Sequence, residues 1–165
     1  MSLRTLCQWV QDQPSSIALR ESQYGYPAVE TAHVLGMAMF AGLIAMMDLR
    51  LVGIGNRRTP VSEIQARLFP WQMTGLATSV ISGTLLLYAE PVQLYGNIFW
   101  WIKVGLLVVA GVNALAFHLT TYRSVAKWDR DPVTPFGARL AGTLSLVLWT
   151  GVIVSGRLIA YNWFK

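Results

Sequence analysis

The stretch FWWIKVGLLVVAGVNALAFHLTTY, residues 99–122, decides the fold, because Lys103 is its one Lys, Arg, Asp or Glu in 24 residues. About 20 apolar residues in a row are what a helix needs to cross ~30 Å of hydrocarbon. Three further windows read the same way: 27–52, 72–89 and 139–161. Across the whole chain hydrophobic residues make up 54% and charged residues only 13%, and the charges fall mostly between these windows. A charge held at bilayer depth costs several kcal/mol, so lipid explains both the scarcity and the clustering. The expected fold is an all-α membrane protein, a bundle of four transmembrane helices. Residues 1–26 form an interfacial segment ahead of the membrane domain at 27–165.

Local signals place the ends. Pro27 suits a first helical turn and Glu30 falls where the helix dipole favours an anion. Gly53, Gly55 and Asn56 end the first helix. Pro70 and Pro91 bracket the second, and Pro132 and Pro135 precede the fourth. Leu3, Leu6, Trp9 and Val10 recur at helical spacing, and Pro14-Ser15-Ser16 can start a second short helix. This segment reads as an amphipathic helix lying on the outer interface. The loop 60–69 looks similar on the inner side, with Val61, Ile64 and Leu68 on one face.

Orientation follows from Lys and Arg. The loops after helices one and three hold Arg50, Arg57, Arg58, Arg67, Arg123, Lys127, Arg130 and Arg139, eight in all; the other side holds Arg4, Arg20, Lys103, Arg157 and Lys165, five in all. The excess lies inside, which puts both termini in the periplasm of a bacterial inner membrane. Trp71 and Trp128 would mark the inner interface and Trp100, Trp101 and Trp163 the outer one. The net charge of +5 is loop charge of this kind and gives no reason to expect nucleic acid. The start of the chain lacks a signal-peptide layout, so the first spanning helix would act as its own insertion signal. Cys7 is the single cysteine, which excludes an intrachain disulfide.

Chemistry must come from the few polar groups at membrane depth. The two histidines, His33 and His118, stand in helices one and three, with Glu30, Met37, Met46, Met47, Asp48, Met73, Asn113 and Arg157 around them. No P-loop, Rossmann fingerprint, zinc-protease motif or nucleophile–base motif is present. Imidazole in a four-helix membrane bundle suits b-type haem. Gly36 beside His33 and Gly111 beside His118 would leave room for a porphyrin. Arg157 or Lys103 outside, and Arg50 or Arg139 inside, would pair with propionates. Helices one and three run in the same direction, and at 1.5 Å per residue the two histidines differ in level by roughly 20 Å. This separation argues against one iron held by both within one chain. Two haems, each completed by Met, a two-fold dimer pairing like histidines, and a bundle with no haem all remain. Imidazole and thioether together also suit copper, with His33, His118, Met37, Met47 and Met73 as candidate ligands. Small residues at four-residue intervals, such as Gly75, Ser79 and Gly83, or Ala38 and Gly42, let helices approach closely within the bundle or an oligomer.

Six pieces carry a resemblance: LRES at 19–22, YPAVETAHVLG at 26–36, MDLRL at 47–51, FPWQMTGL at 69–76, KVGLLVVAGVNALAFH at 103–118 and RLAGTLSLVLWTGVIVSGR at 139–157. In these the chain resembles a family of small bacterial four-helix inner-membrane proteins, and both histidines lie within them. The resemblance implies the membrane and the fold and brings no activity. A looser likeness links the chain to four-helix b-type membrane cytochromes, which hold two haems on four histidines where this chain has two. Another links it, by size and His/Met content, to membrane partners of periplasmic copper-binding proteins. The expected function is b-type haem-binding electron transfer between a periplasmic partner and the quinone pool. Copper handling, and a non-catalytic place in a larger membrane complex, are the alternatives.

Overall fold

In a computed structural model of the chain, residues 2–55, 58–131 and 133–161 are described. Asn56, Arg57, Pro132, Trp163 and Lys165 of the sequence reading lie outside them. The described residues are helical throughout, joined by short turns. Two short helices, α1 (Leu3–Gln11) and α2 (Pro14–Arg20), precede α3 (Gly25–Val52), α4 (Val61–Ala89), α5 (Pro91–Tyr95), α6 (Ile98–Leu119), α7 (Val125–Trp128) and α8 (Phe136–Leu158). By length and composition, Gly25–Val52, Ile98–Trp128 and Phe136–Tyr161 are long and apolar enough to cross a membrane.

Helix α3 stops where Gly53 takes φ of 90°, a left-handed conformation that glycine adopts without a Cβ penalty. The amides of Gly53 and Ile54 then reach back to Leu49 O at 3.1 and 2.9 Å. Helix α4 departs most from the sequence reading. It begins at Val61 and runs through Pro70 without a break, where a separate surface segment over 60–69 is expected. Two things hold its first turns. Asp129 takes the amide and hydroxyl of Ser62 at 2.8 and 2.6 Å, and Val61 and Ile64 are buried in the core. The burial of an apolar face outweighs the one backbone hydrogen bond that a proline removes.

That core sits at the end of the bundle where α3 stops, where Met47 and Leu51 (α3), Val61 and Ile64 (α4), Phe117 (α6), Trp128 (α7) and Ala138 (α8) form one cluster. Trp128 is therefore a core residue rather than an interfacial anchor, and its indole N–H is satisfied by Ser124 Oγ at 3.3 Å. Arg50, fully buried, ties the α3–α4 and α7–α8 connections together by donating to Thr59 O (3.0 Å) and Asp131 O (3.4 Å). Thr134 Oγ1 donates to Leu51 O at 2.5 Å.

At the opposite end of the bundle α2 closes the C-terminus of α4. Ser16, fully buried, donates to Tyr88 O at 2.9 Å, and Arg20 to Ala89 O at 3.2 Å, satisfying carbonyls that the helix leaves open. Asn97 opens α6 by accepting from Phe99 N at 3.0 Å, while its amide group donates to Ile159 O at 3.0 Å beyond α8.

The long helices pack in the order α4–α3–α8–α6. At the α3–α4 seam a Cβ on Gly75 would stand 2.9 Å from Phe40 N and 3.0 Å from Gly36 O. Helices α4 and α6 barely meet, so the bundle is open along one side.

Candidate functional site

The open side is a cleft of about 370 Å³, within the range of small-molecule sites. One wall comes from α4 through Phe69, Gln72, Met73 and Leu76. The other comes from α6 through Leu107, Gly111, Asn113, Ala114, Phe117 and His118. Phe40, Met47 and Asp48 of α3 with Ser145 and Trp149 of α8 make the floor. The lining is apolar with a few polar groups.

Four of the sequence-derived candidates thus meet in one place: His118, Gly111, Met47 and Met73. His118 Nδ1 lies 2.9 Å from Ala114 O. A carbonyl only accepts, so Nδ1 is the donor, and in the neutral ring Nε2 keeps its lone pair. The ring is further held between Phe117 and Tyr122, with centroids at 5.4 and 5.2 Å. A Cβ on Gly111 would meet nothing within 4 Å, so this glycine does border open space. Met73 faces the cleft from the opposite helix and is partly exposed, whereas Met47 is buried beneath it. The cleft thus brings together one imidazole held by a backbone carbonyl, a thioether on the facing helix and an open stretch beside Gly111.

His33 belongs to a different place. Its Nδ1 is 2.9 Å from Ser79 O and 3.2 Å from Ser82 Oγ. Nδ1 is again the donor, and Nε2 accepts from Lys103 Nζ at 3.4 Å. Gly83 seats the ring, for a Cβ there would fall 2.9 Å from His33 Cε1. Lys103 runs alongside Gly156 of α8, its Nζ 3.6 Å from where that residue's Cβ would be. One small polar cluster therefore links α3, α4 and α6 beside Gly156 of α8 and uses both nitrogens of His33. Gly36 is spent in the α3–α4 seam, where an added Cβ would stand 3.0 Å from Ser79 N. Met37 lines neither the cleft nor this cluster. Arg157 turns away to the end of its own helix, donating to the Tyr161 hydroxyl at 3.0 Å with its guanidinium over the ring. Glu30 and Arg139 are exposed.

Asp48 and Asn113 stood among the polar groups at membrane depth but carried no assigned role. Asn113 donates to Ala141 O at 3.0 Å and joins α6 to α8. Asp48 is only 5% exposed, is hydrogen-bonded by Ser145, and keeps Oδ2 without a partner. An acid inside the apolar run MDLRL was the signal for it. The cleft-lining Gln72 and Trp149 gave no such signal, since nothing in sequence distinguishes them from packing residues.

A family model described as “Family of unknown function (DUF6644)” matches residues 22–162. No curated protein and no solved structure matches the chain.

Proposed function

The chain belongs to this family of unknown function (DUF6644), and from that premise we propose that it is a four-span electron-transfer protein holding one b-type haem in the α4–α6 cleft. The observation that carries the reading is the convergence on that cleft of His118, whose Nδ1 is held by Ala114 O, Met73 on the facing helix and Gly111 between open walls. Haem, when bound, supplies one-electron exchange. The chain's part is to present His118 Nε2 and the Met73 thioether, to hold the imidazole by Ala114 O, and to exclude water with Phe40, Phe117 and Trp149. Electrons pass between a partner on the outer face and a lipid-soluble quinone.

In this reading α4 is the fourth span. Its 29 residues suffice for the crossing. Three of its hydroxyls are satisfied within the helix, with Thr74, Ser82 and Thr84 donating to the carbonyls of Pro70, Thr78 and Val80. The α1 stripe of Leu3, Leu6 and Trp9 is exposed and lies on the outer interface of a bacterial inner membrane, with both termini on the periplasmic side.

The test is the optical spectrum of protein purified from haem-replete cells. A Soret band and a reduced α-band are expected, lost in His118→Ala, shifted in Met73→Leu and kept in His33→Ala. Protein without bound haem overturns the proposal. The same residues also suit Cu(I), for Met47, Met73 and His118 line one cleft; copper bound stoichiometrically in place of haem would establish that reading.

A further inference from the structure

The connection from α6 to α8 is built as a short amphipathic platform. After Leu119 the chain passes through a 3₁₀ turn, Tyr122–Ser124, into α7. Tyr122, Val125 and Trp128 recur every third residue and pack into the core cluster, where Trp128 is buried. Arg123, Lys127 and Arg130 stand at i, i+4 and i+7, spacing that puts them together on the opposite face. All three are exposed. The segment that carries them is fastened on either side, by Asp129 to Ser62, by Arg50 to Asp131 O and by Thr134 to Leu51 O. The cations are thus held in a fixed row.

The chain itself does not neutralise this row. Among the described residues none of the three makes a hydrogen bond or an ion pair. Asp129 lies close enough to Arg130 to feel its charge, but both its oxygens are taken by Ser62. Asp131 is the one other carboxylate between Arg123 and Arg139. Beside the row, apolar side chains turn outwards: Val133 is 70% and Phe136 77% exposed. The first turn of α8 is set against the end of α6, because a Cβ on Gly137 would stand 2.9 Å from Thr121 Oγ1. Cations and apolar groups therefore sit together where two apolar segments, Ile98–Trp128 and Phe136–Tyr161, are joined. A phospholipid offers both complements at that level, phosphate for the cations and acyl chain for Val133 and Phe136.

We infer that the face formed by Arg123, Lys127 and Arg130 binds the headgroup of an anionic phospholipid, with Val133 and Phe136 against its acyl chains. Nothing in this site depends on what fills the α4–α6 cleft.

The experiment titrates the full chain, in dodecyl maltoside micelles, with dioctanoyl phosphatidylglycerol and with dioctanoyl phosphatidylcholine. Thermophoresis reads saturable binding. The anionic lipid is expected to bind about tenfold or more tightly at low salt, and salt of about 1 M is expected to erase most of that preference. Lys127→Gln is expected to reduce it about threefold to fivefold. Neutralising Arg123, Lys127 and Arg130 together to Gln is expected to abolish it. Lys127→Arg, which keeps the charge, is expected to keep the preference. So is Arg4→Gln, which removes an equal charge from α1. Glycerol 3-phosphate, a head without chains, is expected not to displace the lipid at tenfold excess. Equal affinity for the two lipids, or a preference that salt leaves unchanged, would overturn the inference. A preference surviving the triple substitution would place the site elsewhere, and one lost equally in Arg4→Gln would assign it to net charge; both overturn it. Displacement by glycerol 3-phosphate would make the face a site for soluble anions and overturn it as well.

Discussion

Asp129 shows how one residue far along the chain starts a helix. It follows α7, yet its carboxyl takes the amide and hydroxyl of Ser62, and its carbonyl takes Val61 N at 3.4 Å. Partial burial pushes its carboxyl up, but the bonds from the Ser62 hydroxyl and from the Ser62 and Val61 amides outweigh this and hold it below the usual carboxylate range. The carboxylate form is thus bound more tightly in the folded chain. Its contribution is fully present above the unfolded value of about 3.9 and fades as pH falls through the lower folded value. Asp129→Ala is expected to cost about 1 kcal/mol at pH 7, as loss of an N-cap does. Asp129→Asn is expected to keep most of the cap and lose its acid sensitivity. Thermal unfolding in detergent from pH 7 to about pH 3 checks both; a wild-type profile parallel to that of Asp129→Asn would refute the assignment. At this scale the sequence picks out rare polar residues well, since His33, Lys103, Asp48 and His118 are conspicuous in apolar runs. It does not tell which of them meet. His33 and His118 look alike in sequence, and only packing gives one ring to Lys103 and the other to an open cleft.

Among the elements, the seam between α3 and α4 is the most extensive helix contact. Gly36 and Gly75 face one another, and an added Cβ on either would come within about 3.0 Å of backbone on the other helix. Backbone cannot yield as a flexible side chain can. Gly75→Val is therefore expected to destabilise the bundle by at least 1–3 kcal/mol through overpacking, whereas Gly105→Ala, which meets nothing within 4 Å, is expected to leave it within about 0.5 kcal/mol. Resistance to unfolding in mixed micelles measures the difference, and equal stability of the two variants would refute the seam. Helix positions were legible from hydropathy, and the Gly53 stop from its glycine. The start of α4 was not, because Pro70 is a breaker in local terms. What carries the helix back to Val61 is a core built from Met47, Phe117, Trp128 and Ala138, each distant in sequence.

For the molecule as a whole, the proposed orientation makes a direct prediction. Cys7, the chain's single cysteine, sits in α1 at the outer end, half-buried. It is expected to react with a membrane-impermeant maleimide added to spheroplasts. In a Cys7→Ser chain, Arg58→Cys is expected to react only after permeabilisation. The reverse pattern would invert the topology, and labelling of both from outside would remove α3 as a span. Composition alone determined that this chain is helical and suited to a membrane, since lipid demands long apolar runs and helices that satisfy their own backbone. It determined which residues are too polar to be there by chance. Only the tertiary structure decided that α4 and α6 stand apart, that His118 and Met73 face one hollow, and that Asp48 is buried at its floor. The physical reason is that hydropathy is a property of each segment by itself. The pairing of helix faces depends on where small residues let two backbones close, and that is settled only when the helices meet.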